Sequence, residues 1–260
     1  MNRRYFLLWI STIILLFGAI TGYSQKQKYP GESVFKWRQL DDKPHVLWIG
    51  GGHWHHTCET CAILRPDLEN KDGLHITYSE DTRSLLHLED YDVVVFQAML
   101  DSLEPEEENA LIQAVEYGKP FFSLHAACAS FRKPPPNQKF DPVAGHPEFY
   151  KMIGGYVKSH PPMEPFKVTI KDPGHPITKG VVAFEILDEL FVMTHLQPDN
   201  RILLEGMLNE NDQPLAWTRK FGEGKVFLLT LGHGPGAASN PAFQKIVSNG
   251  LKWLLMEQQD

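Results

Sequence analysis

The stretch Tyr91-Asp-Val-Val-Val-Phe96 is a nearly continuous run of β-branched and aromatic residues. A strand with one face in water alternates apolar and polar residues, whereas an unbroken run is typical of a strand buried on both faces. Such strands occur in parallel sheets that are covered by helices on both sides. The stretch therefore predicts a central strand of an α/β sheet.

Short apolar segments and helical patterns alternate on either side of this run. Pro105 and the acidic residues after it suit the first turn of a helix, and Gly118 ends that helix. Strands are predicted over 45–49, 74–78, 120–124, 166–170 and 226–231, and helices over 58–68, 105–117 and 243–255. This alternation predicts an α/β fold with a central, mostly parallel sheet and helices on both faces.

The N-terminus has the pattern of a secretory signal peptide. Arg3 and Arg4 precede an uncharged apolar run over 5–20, which is shorter than the roughly 20 residues that span a membrane. Three segments are predicted: a cleaved signal peptide over 1–24, a linker or N-terminal arm over 25–43, and a folded domain over 44–257. The protein would then be exported to the periplasm or the extracellular space, with no membrane span after cleavage. An uncleaved N-terminal membrane anchor is the alternative.

The charge balance limits the class of ligand. The formal net charge is −7 and the sequence pI is about 5.9. A nucleic-acid binder usually carries a basic surface, so nucleic acid is not an expected partner. An acidic chain of ordinary globular composition is compatible with a small neutral ligand. The sequence gives no oligomeric state.

The chain has three cysteines, which are too few for a disulfide-based scaffold. Cys58 and Cys61 are spaced C-x-x-C at the start of a predicted helix. They could pair in an oxidising compartment, or they could be two reduced and partly buried thiols. The spacing leaves both alternatives open.

Several of the twelve histidines directly follow predicted strands. His53 and His55 come after the first strand and its three glycines, His125 after the strand that ends at Leu124, and His233 after the last strand. The carboxyl ends of parallel strands meet at one edge of a sheet, where α/β proteins bind ligands. Neutral imidazole is a usual ligand of zinc. A divalent metal such as zinc could therefore be held by His53, His55, His125 and His233.

Seven stretches, in their order and spacing, resemble the ThuA-like (trehalose utilisation) family. They run from about His45 to Leu255 and so cover nearly all of the predicted domain. They are GGHWHH (51–56), SLHAACASF (123–131), GGYVKSHPP (154–162), DPGHPITKG (172–180), DELF (188–191), PLAWTRKFGEGKVFLLTLGHG (214–234) and FQKIVSNGLKWL (243–254). The resemblance implies a flavodoxin-like fold, similar to that of class I glutamine amidotransferases.

Two departures from the amidotransferase pattern concern its catalytic residues. In those enzymes a strand leads to an elbow with a nucleophilic Cys, and His125 stands at that place here. Their catalytic His corresponds to His233, but Pro235 stands where the Glu that orients it would be. A thiolate nucleophile needs both the thiol and an oriented base. The resemblance therefore implies that glutaminase activity has been lost.

The resemblance also implies a role in carbohydrate utilisation, with acid–base processing of a glycoside or keto-sugar as the expected chemistry, in which a bound divalent metal could polarise an oxygen. Imidazole suits proton transfer near neutral pH, and an indole face can stack on a sugar. The expected catalytic residues are His125, His233 and Glu189, and the expected substrate-binding residues are His55, Trp54, His160 and Asp188, with Trp217 a second candidate for stacking. Asp188 and Glu189 could instead flank a short surface strand. A non-catalytic carbohydrate-binding protein on the same scaffold is the alternative function.

Overall fold

The computed structural model describes residues 42–131 and 145–256. The predicted signal peptide and nearly all of the predicted linker lie outside the described residues, so both remain predictions. Over the two described ranges, no helix has the length and apolar character needed to cross a membrane.

Strands and helices alternate in the first half of the chain, and strands dominate the second half. The strands are β1 (His45–Ile49), β2 (His75–Ser79), β3 (Val93–Phe96), β4 (Phe121–Leu124), β5 (Tyr156–Ser159), β6 (Glu164–Ile170), β7 (Phe184–Asp188), β8 (Val192–Thr194), β9 (Arg201–Leu208), β10 (Asn211–Phe221) and β11 (Gly224–Leu229). The helices are α1 (Thr57–Asn70), α2 (Pro105–Glu116), α3 (Pro147–Ile153), α4 (Pro235–Ala238) and α5 (Pro241–Leu255). Short 3₁₀ segments cover Thr82–Asp90, His125–Ala129 and Pro176–Thr178.

Within the described ranges, nine strands form one mixed sheet in the order β2-β1-β3-β4-β11-β10-β9-β6-β7. Neighbouring strands are parallel from β2 to β11 and antiparallel from β11 to β7. Strands β5 and β8 form a separate antiparallel pair. The predicted α/β class with a central sheet is confirmed, and the antiparallel half is an addition that the sequence patterns did not reveal.

Strand β1 shows why the four residues after His45 are all apolar. Val46 and Trp48 pack into a core that includes side chains of α1 and α5, whereas Leu47 and Ile49 pack into a second core that includes side chains of α2. All five strand residues are buried. Strand β3 likewise divides its four buried residues between the two cores. The predicted helices on both faces of the sheet are therefore confirmed.

The glycine loop after β1 turns the chain at the carboxyl edge of the sheet. Gly51 and Gly52 have φ angles of +90° and +87°, a region that side chains strongly disfavour. Gly52 forms a parallel bridge with Met99, and a Cβ atom on Gly52 would lie 1.9 Å from the Met99 carbonyl oxygen. Only glycine allows this approach, which fixes the start of the histidine-containing segment that follows.

Candidate functional site

Four residues from four separate loops converge at the carboxyl edge of the sheet. His55 follows β1, His125 follows β4, Glu189 follows β7 and His233 follows β11. Glu189 Oε2 lies 3.2 Å from His233 Nδ1, 3.4 Å from His125 Nε2 and 3.8 Å from His55 Nε2. The four ligand atoms lie within 4.8 Å of one another, a spacing that could hold a metal ion. We refer to these four residues as the His/Glu cluster.

His125 occupies a strained backbone conformation at the end of β4. Its φ angle is +42°, in the left-handed region, which costs of order 1–3 kcal/mol for a residue with a side chain. The fully buried ring stacks on Phe191 with centroids 4.6 Å apart, and its Nδ1 lies 2.5 Å from the Thr230 carbonyl oxygen. Because a carbonyl can only accept, Nδ1 donates the proton and Nε2 faces Glu189.

His55 has the same arrangement of its two ring nitrogens. Its Nδ1 lies 3.0 Å from the carbonyl oxygen of His53, so it donates that hydrogen bond, and its Nε2 faces Glu189. The ring lies edge-on to those of His125 and His233, with centroids 4.8 and 4.9 Å away. Backbone carbonyls therefore fix the tautomer of two of the three histidines.

Asp188 is a buried carboxylate behind the cluster, with 1% of its surface exposed. It accepts hydrogen bonds from the backbone N–H groups of Gly232 (2.7 Å), His233 (3.1 Å) and Glu189 (2.9 Å). Burial raises the pKa of Asp188 despite these bonds. The residue was expected to bind substrate, but its bonds instead support a positioning role for two members of the cluster.

The cluster is electrostatically unusual because three imidazoles surround one carboxylate. Burial lowers the pKa of His55, whereas the contact with Glu189 raises the pKa of His233. Burial acts to raise the pKa of Glu189, whereas the histidines, when their nitrogens beside Glu189 are protonated, hold that pKa far below its usual range. The three ring nitrogens that face Glu189 have no hydrogen-bond partner of acceptable geometry. They are His55 Nε2, His125 Nε2 and His233 Nδ1.

Exposure increases from the cluster outwards. The side chain of His125 is fully buried, that of His233 is 21% exposed and that of His160 is 39% exposed. His160 Nδ1 lies 3.7 Å from Glu189 Oε1, whereas the three histidines of the cluster lie nearest to the other carboxylate oxygen, Oε2. Trp54 is 83% exposed, with a left-handed φ of +67°. The side chains of His233, His160 and Trp54 are therefore accessible to solvent.

Two expected residues do not join the cluster. The exposed His53 side chain lies 3.6 Å from Asp101, and only the His53 backbone carbonyl contributes, through its bond to His55. Glu189 takes the fourth position of the group instead of His53. Trp217 is fully buried and donates to the Ile153 carbonyl oxygen, so it cannot stack on a ligand.

The three cysteines are free thiols. Cys58 is exposed and Cys61 is buried in the first turns of α1, where burial raises the pKa of Cys61 to about 12. Cys128, buried one turn beyond the elbow, donates through Sγ to the His125 carbonyl oxygen. Of the two alternatives for Cys58 and Cys61, the structure has the reduced pair.

Supporting residues that the sequence reasoning missed hold the loops of the cluster. Gln97 directly follows β3, accepts a hydrogen bond from Trp48 Nε1 and donates to the Gly232 carbonyl oxygen. Thr230 provides its carbonyl oxygen for His125, and Phe191 provides a ring. The sequence could have identified Gln97, because it is a polar residue directly after a buried strand.

Solved structures similar to this chain share its fold. A ThuA-like protein from Bacteroides uniformis ATCC 8492 is 20% identical, with a TM-score of 0.67 over 87% of this chain and 95% of that chain. A ThuA-like protein from Parabacteroides merdae ATCC 43184 is 18% identical, with a TM-score of 0.68 over 82% and 90%. A β-galactosidase from Rahnella sp. R3 is 13% identical, with a TM-score of 0.57 over 81% of this chain and 31% of that chain. At these identities the likeness concerns the fold alone.

Sequence comparison supplies the family. Among curated proteins, none matches this sequence significantly. The ThuA family model, described as trehalose utilisation, matches residues 45–254. That range contains every member of the His/Glu cluster and the eleven strands found in the described residues. The chain therefore belongs to the ThuA (trehalose utilisation) family.

Proposed function

We propose that this chain is an exported enzyme of carbohydrate utilisation that processes a glycoside or a keto-sugar by acid–base chemistry at the His/Glu cluster. The family description supports a carbohydrate-related role. The observation that carries the proposal is the convergence of three imidazoles on one partly buried carboxylate. This cluster lies at the sheet edge where α/β proteins bind their ligands.

Both substrate types need proton transfer near neutral pH. A keto-sugar reacts by losing a proton from the carbon beside its carbonyl group, and a glycoside reacts by protonation of its leaving oxygen. His160 and His233 are the partly exposed imidazoles and are placed to exchange such protons. The buried His125 lies beside the same carboxylate, with its Nε2 3.4 Å from Glu189 Oε2. Trp54 offers an exposed aromatic face for a sugar ring.

The elbow after β4 supports the loss of glutaminase chemistry. His125 occupies the position at which an amidotransferase-like nucleophile would stand. The nearby thiol of Cys128 is buried and bonded to a backbone carbonyl, so it is not available for attack on an amide.

A substrate panel with a charge-neutralising variant tests the proposal. Purified protein would be incubated with disaccharides, aryl glycosides and their 3-keto derivatives, and products would be identified by liquid chromatography and mass spectrometry. We expect turnover of at least one compound, and a loss of about 10²–10⁴-fold in Glu189→Gln. Glu185→Gln, an exposed change on β7, the strand that leads to Glu189, serves as the matched control.

The outcomes separate the two functions. Product formation that is lost in Glu189→Gln but kept in Glu185→Gln would support the enzyme. Saturable binding of a sugar without any product would favour the non-catalytic carbohydrate-binding alternative. Neither turnover nor binding over the whole panel would contradict both.

Export is tested on the protein that its host produces. N-terminal sequencing of the protein from the periplasmic or extracellular fraction is expected to begin near Gln25. Recovery from the membrane fraction with Arg3 and Arg4 still present would favour the N-terminal anchor instead.

A further inference from the structure

We propose that His55 Nε2, His125 Nε2, His233 Nδ1 and a carboxylate oxygen of Glu189 bind one divalent transition-metal ion of the zinc type. The proposal stands on the side-chain geometry of the cluster and does not require the substrate to be a sugar. It also replaces His53, which the sequence pattern indicated, with Glu189.

The hydrogen positions in the cluster call for a cation at its centre. His55 and His125 each donate Nδ1–H to a backbone carbonyl, so a neutral ring presents the Nε2 lone pair to Glu189. Two lone pairs then face a carboxylate oxygen at 3.8 and 3.4 Å with no hydrogen between them. Unpartnered buried polar atoms are rare in proteins and each needs an explanation. Among the imidazoles of the described residues, the three buried orphan nitrogens all belong to this cluster.

A metal ion satisfies these atoms better than extra protons do. Protons on these nitrogens would turn both His55 and His125 into positively charged imidazolium rings beside a single carboxylate, although both rings are almost completely buried. Buried charge without full pairing is costly. One divalent ion instead accepts all the lone pairs at once. The bonds from Nδ1 to the carbonyls are the outer contacts that commonly orient histidine ligands of metals.

The distances fit a small ion closely on one side of the cluster. Metal–ligand bonds of about 2.0–2.1 Å in a tetrahedron place neighbouring ligand atoms about 3.3 Å apart. Glu189 Oε2 lies 3.2 Å from His233 Nδ1 and 3.4 Å from His125 Nε2. The widest pair lies within 4.8 Å, so closure around the ion needs a side-chain shift of about 1 Å.

The donor set narrows the class of ion. Three imidazole nitrogens and one carboxylate suit zinc and its transition-metal neighbours, whereas magnesium and calcium prefer all-oxygen sites. Glu189 Oε1 points away from the other ligands towards His160, which is not a member of the group. With the cluster engaged as ligands, His160 is the imidazole left to exchange protons with a substrate.

Metal content and affinity test the proposal directly. The full chain would be purified without a metal-chelating tag, stripped with dipicolinic acid and titrated with Zn²⁺ against a chromophoric chelator, and bound zinc would be counted by mass spectrometry. We expect one equivalent per chain, and at least about 100-fold weaker binding in His55→Ala, since even outer-contact changes cost about 10–100-fold. His53→Ala is the matched control, because it keeps the carbonyl that orients His55.

Folding of each variant would be checked by circular dichroism, and Glu189→Gln would replace His55→Ala if the latter does not fold. Binding of less than about 0.2 equivalents by the parent, or equal affinity in parent and ligand variant, would overturn the proposal. Sugar turnover by a parent protein that binds less than about 0.2 equivalents of zinc would overturn this inference and leave the proposed function standing. One tightly bound zinc per chain without turnover of any sugar would support this inference and contradict the proposed enzyme function.

Discussion

Two buried histidines, His125 and His175, have opposite surroundings. His175 accepts a hydrogen bond from the backbone N–H of Ile177 through Nδ1 and packs on Trp253, and it caps the 3₁₀ turn over Pro176–Thr178. His125 is bonded through Nδ1 alone, and its Nε2 is buried without a partner and faces Glu189. Burial is therefore a poor marker of function for histidine, whereas an orphaned nitrogen beside a carboxylate is a good one.

The largest expected effect concerns the support of the functional cluster. Asp188→Ala would leave one buried and two partly buried backbone N–H groups without an acceptor. We expect the free energy of unfolding to fall by about 3–5 kcal/mol, as measured by urea denaturation. Glu185→Ala, an exposed change on the same strand, should stay within about 0.5 kcal/mol of the parent. A loss below about 1 kcal/mol in Asp188→Ala would mean that the buried carboxylate does not hold these loops.

The second effect concerns the structural histidine and pH. Burial, the largest cause, together with the charge of Arg201 lowers the pKa of His175 from 6.5 to about 4. The ring is thus neutral when folded, and the unfolded chain takes up the proton first. This contribution to stability is complete above pH 6.5 and is lost as the pH falls towards 4.

We expect this loss to reach about 2–3 kcal/mol at pH 4.5. His175→Asn keeps a side-chain acceptor for the turn but removes the titrating ring. Urea denaturation at pH 7 and 4.5 should therefore give a smaller decrease in the variant than in the parent. Equal decreases in the two proteins would assign the acid sensitivity to other groups.

The smallest effect concerns Trp54, which directly precedes His55 of the cluster in the sequence. Trp54 combines a left-handed φ of +67° with a side chain that is 83% exposed, so it loses little packing when removed. We expect Trp54→Gly to raise the free energy of unfolding by about 0.5–1 kcal/mol, because glycine relieves the backbone strain. It should also weaken sugar binding, measured by titration calorimetry, by roughly tenfold. If Trp54→Gly is more stable but binds sugar as tightly as the parent, Trp54 is not part of the binding site.

Strands with a local signature could be predicted from the sequence. The runs that became β1, β3 and β4 are apolar because both faces are buried, so no distant information is needed to recognise them. Strands β9 and β10 carry exposed and polar residues, and they pair through a turn at Asn209 and Glu210 with positive φ at both. That pairing depends on the register between two irregular strands, and their composition did not reveal it.

Part of the candidate site could be predicted because the strands that lead to it have a local sequence signature. Positions after strands identified His55, His125 and His233, because the edge of a parallel sheet brings strand ends together. Spacing alone could not decide between His53 and His55, since the choice depends on the left-handed turn at Trp54 between them. The burial of Asp188 depends on the approach of residues 232–233, a contact that joins positions 44 or more residues apart.

The four loops of the cluster have a consequence for folding kinetics. Its members are far apart along the chain, at positions 55, 125, 189 and 233, so the cluster cannot form before β1, β4, β7 and β11 have assembled. Contacts made after the folding transition state change the unfolding rate and leave the folding rate nearly untouched. A ligand held by this cluster is therefore expected to lengthen the lifetime of the native protein without helping it to fold.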